Sequence, residues 1–495
     1  MSGQGQTTTV GQLPTPNNGG SRVPAALTRV VWLLWVVSLG ILATHLWTGE
    51  IWTLSGLLAV DGLTVVMWTT VTFFSGIVHS YSRRYMAGNR TIDRFFGRVF
   101  GFTVVVMVLV AADHVALFGA AWLLMGLLMA GLIGHVQEWP QAQSAAALAR
   151  RYFLASSALL AVALVTLWYH LGATTISGIA SSVTDASSTV VLFTAGTLLL
   201  AAMVQSALVP FHTWLLSSMT APTPASALMH AGFVNAGGIL LVRFAPVVSV
   251  DTRFMLLIVL VGAASALGGK LLKTVQTDVK GKLGCSTVGQ MGFMIMQAGL
   301  GFFAAAVTHL ILHGFYKAYQ FLNSGSQVDH ESPTKHRQKD SAGPFGLAII
   351  ALTALASGVL FAVLTGKGTD LGGGLLLTLL VVLTVLHAAR DLVAEAAVPS
   401  AVRYGAVPLV SLSAVSIYAG VYQAISGLLH GLPAVGQPVE LTPIHGVVAA
   451  AFLVIYVAIE RGVYEHSQRL YVALLNASQP ASETLLTATE DYNEY

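Results

Sequence analysis

Long apolar blocks separated by short polar joints run through almost the whole chain, with neither the two-residue alternation of strands nor the amphipathic spacing of soluble helices. The blocks lie near residues 26 to 47, 61 to 81, 97 to 112, 115 to 135, 152 to 171, 188 to 209, 224 to 243, 254 to 273, 283 to 302 and 304 to 323. After a polar loop, four more follow at 345 to 364, 373 to 393, 406 to 428 and 444 to 461. At the usual need of about 20 residues per span, the pattern predicts about fourteen transmembrane helices in an all-α polytopic membrane protein. Outside the blocks, residues 1–25 read as a disordered Gly, Gln, Thr and Pro-rich leader, and 329–344 as a charged loop dividing a core (26–328) from C-terminal helices (345–464). Residues 465–495 read as a tail that is either solvated or docked on a partner.

Composition agrees: 55% of the 495 residues are hydrophobic and only 9% charged, too few for a soluble surface. A net charge of +3 gives no nucleic-acid signature, and the single Cys285 excludes both a disulfide framework and a cysteine-based zinc site within this chain. The distribution of Lys and Arg carries more information. Alternating the fourteen spans from a cytoplasmic start puts 20 of the 24 on one side. Arg243, Arg253 and Lys367 fall on the other side, and Lys317 inside the bilayer. Both termini are therefore expected in the cytoplasm, with the lipid bilayer around the bundle.

Within this apolar chain three stretches carry candidate chemistry. In HLILHGFYK, His309, His313 and Lys317 are four apart, advance about 40° per step and share one helical stripe. Ionisable groups at membrane depth are costly and mark ion pathways, or else are structural residues satisfied by neighbours. Between Pro210 and Pro224, with His212 and Pro222, the prolines forbid regular helix, which predicts irregular backbone: a broken-helix ion-site element or an ordinary loop. His230 and Asn235 follow on the next helix. In VQTDVKGKLGCSTVGQ, Lys280 and Asp278 are placed at the mouth of a polar path, while the neighbouring lysines serve as membrane anchors.

The sequences PFHTWL, APTPASALMHAG, VQTDVKGKLGCSTVGQMGFM and THLILHGFYKAYQFLNSGS, in this order, resemble the antiporter-like membrane subunits of respiratory complex I and the multisubunit cation/proton antiporters. The resemblance implies a bundle with broken helices near midmembrane and a line of ionisable residues conducting protons, onto which His230, Lys280, His309, His313 and Lys317 fall. It also exposes departures. The family's Glu after Trp is Leu123 here, and its Lys before the P-F-x-T-W-L motif is Gln205. Losing both members of a buried ion pair together is coherent, because one alone would be left unpaired. The family's later lysine-bearing broken helix is missing too, and His387 is either a substitute or a core residue.

SALMHAGFVNAGGILLVRFAP is similar to the membrane subunit family, DabB, of the DAB-type inorganic carbon accumulation complex. That resemblance implies a bacterial inner-membrane location. It also implies a large peripheral zinc partner of the DabA type, similar to carbonic anhydrases, which hydrates CO2 to bicarbonate while this subunit couples a proton or sodium gradient to the step. The expected role is a transport subunit, with no catalytic, cofactor or metal site of its own and with H+ preferred over Na+. The alternatives are a cation/proton antiporter or respiratory subunit, and a non-conducting membrane anchor.

Overall fold

The computed structural model describes residues 21–324, 343–369, 372–394, 400–436 and 438–485. Residues 1–20 of the expected leader, 329–342 of the expected loop and the last ten residues of the tail lie outside the described residues. The first helices are α1 (Val23–Thr48), α2 (Gly62–Tyr85), α3 (Ile92–Ala111), α4 (Val115–Ile133), α5 (Pro140–Leu171), the short α6 (Ile176–Ser182) and α7 (Ser188–Gln205). A middle group comprises α8 (Thr213–Ser217), α9 (Thr223–Ala231), α10 (Ala236–Arg243), α11 (Ala245–Val248), α12 (Thr252–Thr274), α13 (Val279–Gly299) and α14 (Phe303–Leu322). Then come α15 (Pro344–Thr365), α16 (Gly374–Ala394), α17 (Ser400–Leu429), α18 (Pro443–Glu460), α19 (Val463–His466) and α20 (Gln468–Ala477). One hairpin, β1 (Trp52–Leu54) with β2 (Leu58–Val60), precedes α2.

Each apolar block corresponds to one pass through the bundle, with α9 and α10 together forming the seventh. Among the described residues, eleven helical segments are long and apolar enough to cross a membrane. The three remaining passes are α13, α14 and α16. The first two carry Lys280, His309, His313 and Lys317, whose polarity lowers their hydropathy.

Boundaries differ from expectation where charge sits on a helix rather than in a loop. The helix α5 begins at Pro140, not near 152, so Arg150 and Arg151 project from its flank; α3 begins at Ile92 and carries Arg94 and Arg98. Polar residues on one side of a long helix end escape a search for unbroken apolar runs.

Irregular backbone does occupy the stretch between Pro210 and Pro224, where only α8 and a 3-10 turn, Ser218–Thr220, interrupt it. Pro222 is the residue before α9 and Pro224 lies in its first turn, where a missing N–H costs nothing. A second break was not expected. The helix α9 stops at Ala231, a 3-10 turn spans Phe233–Asn235, and α10 resumes the pass, so His230 lies on α9 and Asn235 in the interruption itself rather than on one helix. Asn235 Nδ2 donates to the Ala231 carbonyl at 2.8 Å, satisfying a group the break would orphan.

Tight packing holds this frame. A Cβ on Gly262 of α12 would come within 2.7 Å of Met296 Cα and the Gly292 carbonyl of α13, so glycine here is what lets the two backbones touch. The side chain of Asp61 caps α2 through Thr64 N, and Arg243 at the end of α10 forms a buried ion pair with it, also donating to Thr64 Oγ1 and the Val110 carbonyl. Arg243, an exception to the charge asymmetry, is thus neutralised inside the protein.

Part of the tail is folded. Leu474 of α20 packs against Leu216, Leu272 and Cys285. His212 Nε2 meets the Ala477 carbonyl at 3.0 Å, Ala481 N donates to Ser217 Oγ at 3.1 Å, and Arg151 pairs with Glu483 at 3.3 Å. Residues 467–485, most of them still exposed, therefore strap the chain's own irregular segment through these few contacts.

Candidate functional site

The centre of the bundle is built where α14 packs between α9 and α13. Lys317 is fully buried, and its Nζ donates to the Leu283 carbonyl at 2.7 Å and to Ser286 Oγ. Among the described residues no carboxylate pairs with it, so its hydrogen-bond partners are neutral acceptors. One turn up the stripe, His313 stacks on His309 with ring centroids 5.8 Å apart, and Phe293 packs on His309 at 5.2 Å. Across the groove, His230 lies face to face with Phe321 at 4.3 Å and bonds Thr287 Oγ1 at 3.0 Å.

Thr287 also reaches the Leu283 carbonyl at 2.9 Å; when its hydroxyl donates there, His230 Nδ1–H is the donor to Thr287, and Nε2 is a buried nitrogen without a partner. The Nε2 atoms of His309 and His313 are likewise unpartnered. Both His230 and His313 lie within electrostatic reach of Lys317, and His230 within reach of Lys280. Lys280, His230, Lys317, His313 and His309 therefore form one cluster, as the stripe and motifs predict. A row of neutral imidazoles next to an amine can accept and release protons one at a time without separating charge over long distances.

Lys280 also reaches out of the cluster, and the remaining candidates take separate places. Lys280 Nζ donates to the carbonyls of Met219 and Ala221 at 3.3 and 3.5 Å, tying α13 to the irregular segment. Asp278 is the N-cap of α13, accepting from Gly281 N at 2.7 Å, which gives it a structural task at the mouth of the cluster. His387 on α16 bonds Glu460 at 2.7 Å, and Arg390 pairs with the same carboxylate. It belongs to the C-terminal helices rather than to the central cluster. Gln205, where the relatives' lysine would be, is fully buried with both amide heteroatoms unpartnered, and Leu123 is only half-buried.

One residue was missed. Lys367, between α15 and α16, is 3% exposed, and its Nζ has no hydrogen-bond partner among the described residues. It sits over the Tyr422 ring at 3.2 Å, with Phe302 at 5.2 Å and Phe361 at 5.9 Å. The available signal was its exception to the charge asymmetry. Burial pushes this ammonium down to about 7, since the cation–π attraction, on the order of 2 kcal/mol for a desolvated pair, falls short of the cost of desolvation. Between pH 7 and 10.5 the unfolded chain therefore binds a proton that the folded one does not, and stability rises with pH. Replacing Lys367 with Met should raise the thermal midpoint at pH 7, by roughly a few kcal/mol of stability, and flatten the slope between pH 7 and 10. Unfolding scans of the purified variant read both; an unchanged slope contradicts the assignment.

The fold defines a class of membrane bundle. It matches a chain of the Mrp complex from Dietzia sp. DQ12-45-1b with a TM-score of 0.57 at 21% identity, covering 92% of this chain and 58% of that one. A chain of the membrane-bound sulfane sulfur reductase, an archaeal respiratory complex, matches with a TM-score of 0.58 at 16% identity, covering 94% of both. Residues 112–393 match the family described as NADH:quinone oxidoreductase/Mrp antiporter, TM, and residues 51–96 the complex I chain 5 N-terminus. The chain belongs to this family of antiporter-like membrane subunits.

Among its relatives, a probable inorganic carbon transporter subunit DabB1 of Halothiobacillus neapolitanus is 40% identical over 57% of this chain and 51% of its own length. A probable DabB of Bacillus subtilis is 37% identical over 65% and 64%. The NADH-quinone oxidoreductase subunit L of Mycobacterium tuberculosis is 34% identical over 60% and 48%. The chain thus spans about half to two thirds of the length of these relatives.

Proposed function

We propose that the chain is the cation-conducting membrane subunit of an energy-coupled inorganic carbon transporter in a bacterial plasma membrane. A proton gradient drives CO2 hydration to bicarbonate on a large peripheral zinc protein of carbonic-anhydrase type. The observation that carries the reading is the buried row His309, His313 and Lys317, joined by His230 and Lys280. The likeness to DabB subunits supplies the substrate. In this reading protons pass along the histidines to Lys317 and leave by Lys280 toward the cytoplasmic face, while Lys367 receives them at the opposite end. Each proton crossing 100 mV releases about 2.3 kcal/mol, enough to bias the hydration equilibrium roughly 50-fold.

The irregular segment Pro210 to Pro224, touched by Lys280 on one side and strapped by residues 467–485 on the other, is where partner and proton act on one element. The test is inorganic carbon uptake in a strain lacking other uptake systems, with and without the zinc partner and with the membrane gradient collapsed by an uncoupler. Uptake that needs the chain, the partner and the gradient is expected. Uptake indifferent to the gradient overturns the coupling and leaves an anchor role, and cation/proton exchange without the partner selects the antiporter reading.

A further inference from the structure

A chamber lies beside the broken seventh pass. It has a volume of about 40 Å3 and is enclosed by α2, α3, α4, the α9–α10 break and α14, with Val71, Phe74, Phe102, Leu228 and Leu310 in its wall. Two polar residues line it. The Thr70 hydroxyl donates to the Val66 carbonyl at 2.8 Å and Asn235 Nδ2 is engaged with Ala231, so the side chains of the wall offer no free donor, only acceptor oxygens, of which Asn235 Oδ1 is buried and without a partner. A buried water needs two to four polar partners, and a hydrated cation needs more, whereas dry apolar cavities accept small neutral gases.

We infer that this chamber binds CO2. The inference rests on the carbon-transport reading for the identity of the gas and on the chamber itself for the site. CO2 has no charge and no donor to satisfy, and its electrophilic carbon is suited to a carbonyl oxygen such as Asn235 Oδ1. The location ties the gas to the protons: Ala231 and Leu310 in the wall are the chain neighbours of His230 and His309. Gas in the chamber therefore touches both the interrupted pass that carries His230 and the helix α14 that carries His309, which gives gas and protons a means to favour each other.

Structures of the full chain in lipid nanodiscs, frozen under xenon and under CO2, test the site directly. Density between Phe102, Leu228 and Asn235 with both gases is expected, and an empty wild-type chamber under CO2 overturns the inference. In cells, Val71→Phe fills the space; assembled with its partner, it should raise the half-saturating CO2 concentration of uptake about threefold or more. An unchanged CO2 dependence in that variant also overturns the inference. If wild-type cells show no carbon uptake at all, the transport reading fails, and the CO2-pressurised structure still decides the site without reference to transport.

Discussion

Lys317→Ala, expressed at wild-type level and still assembled, is expected to abolish carbon uptake and proton movement. Lys317 is the central amine of the buried row, held by the Leu283 carbonyl and Ser286, and no neighbouring carboxylate among the described residues offers a substitute proton carrier. Removing the carrier at one step of a relay raises the barrier by at least about 3 kcal/mol, a loss of about 100-fold or more. His313→Ala should give a similar loss, whereas Lys317→Arg restores the charge without an amine that releases its proton and should not rescue. Carbon uptake and proton flux into proteoliposomes measure the two consequences separately. Undiminished values in both alanine variants would remove the ion path and leave the chain as an anchor.

The largest effect on stability is expected at Arg243→Ala. Removing one partner of the buried Asp61–Arg243 pair strands a carboxylate and takes donors from Thr64 and the Val110 carbonyl, at a cost of about 3–5 kcal/mol. The double replacement Asp61→Leu with Arg243→Met should regain most of this, because neither charge is then left alone in an apolar setting. Thermal unfolding in detergent reads both; a double variant no better than Arg243→Ala would show that the pair is not acting as a unit. Because Arg243 ends α10, the single variant should also loosen one half of the broken pass and lower transport.

The number of passes was legible because bilayer thickness dictates apolar length. The stripe of His309, His313 and Lys317 was legible because a period of four is visible in one dimension. The break at Gly232 was not, since Ala231, Gly232 and Phe233 are ordinary residues for a span, and the local bond from Asn235 to the Ala231 carbonyl is as compatible with a continuous helix as with a break. Likewise Arg243 and Lys367 appear in the chain only as misplaced charges. Their solutions, a carboxylate 182 residues away and a cage of three rings, are properties of tertiary structure. His387 follows the same logic. Its position suggested a membrane relay, and its partner Glu460 lies on another helix, 73 residues further on.

The strap over the irregular segment also imposes an order on biosynthesis. His212 is secured by the carbonyl of Ala477, 265 residues later in the chain. While the helices from α9 to α18 are being made, the backbone around Pro210 to Pro222 lacks the hydrogen bonds that Ala477 and Ala481 later supply. A nascent chain that has not yet reached α20 therefore leaves this segment without its strap, even when α1 to α18 are already in place.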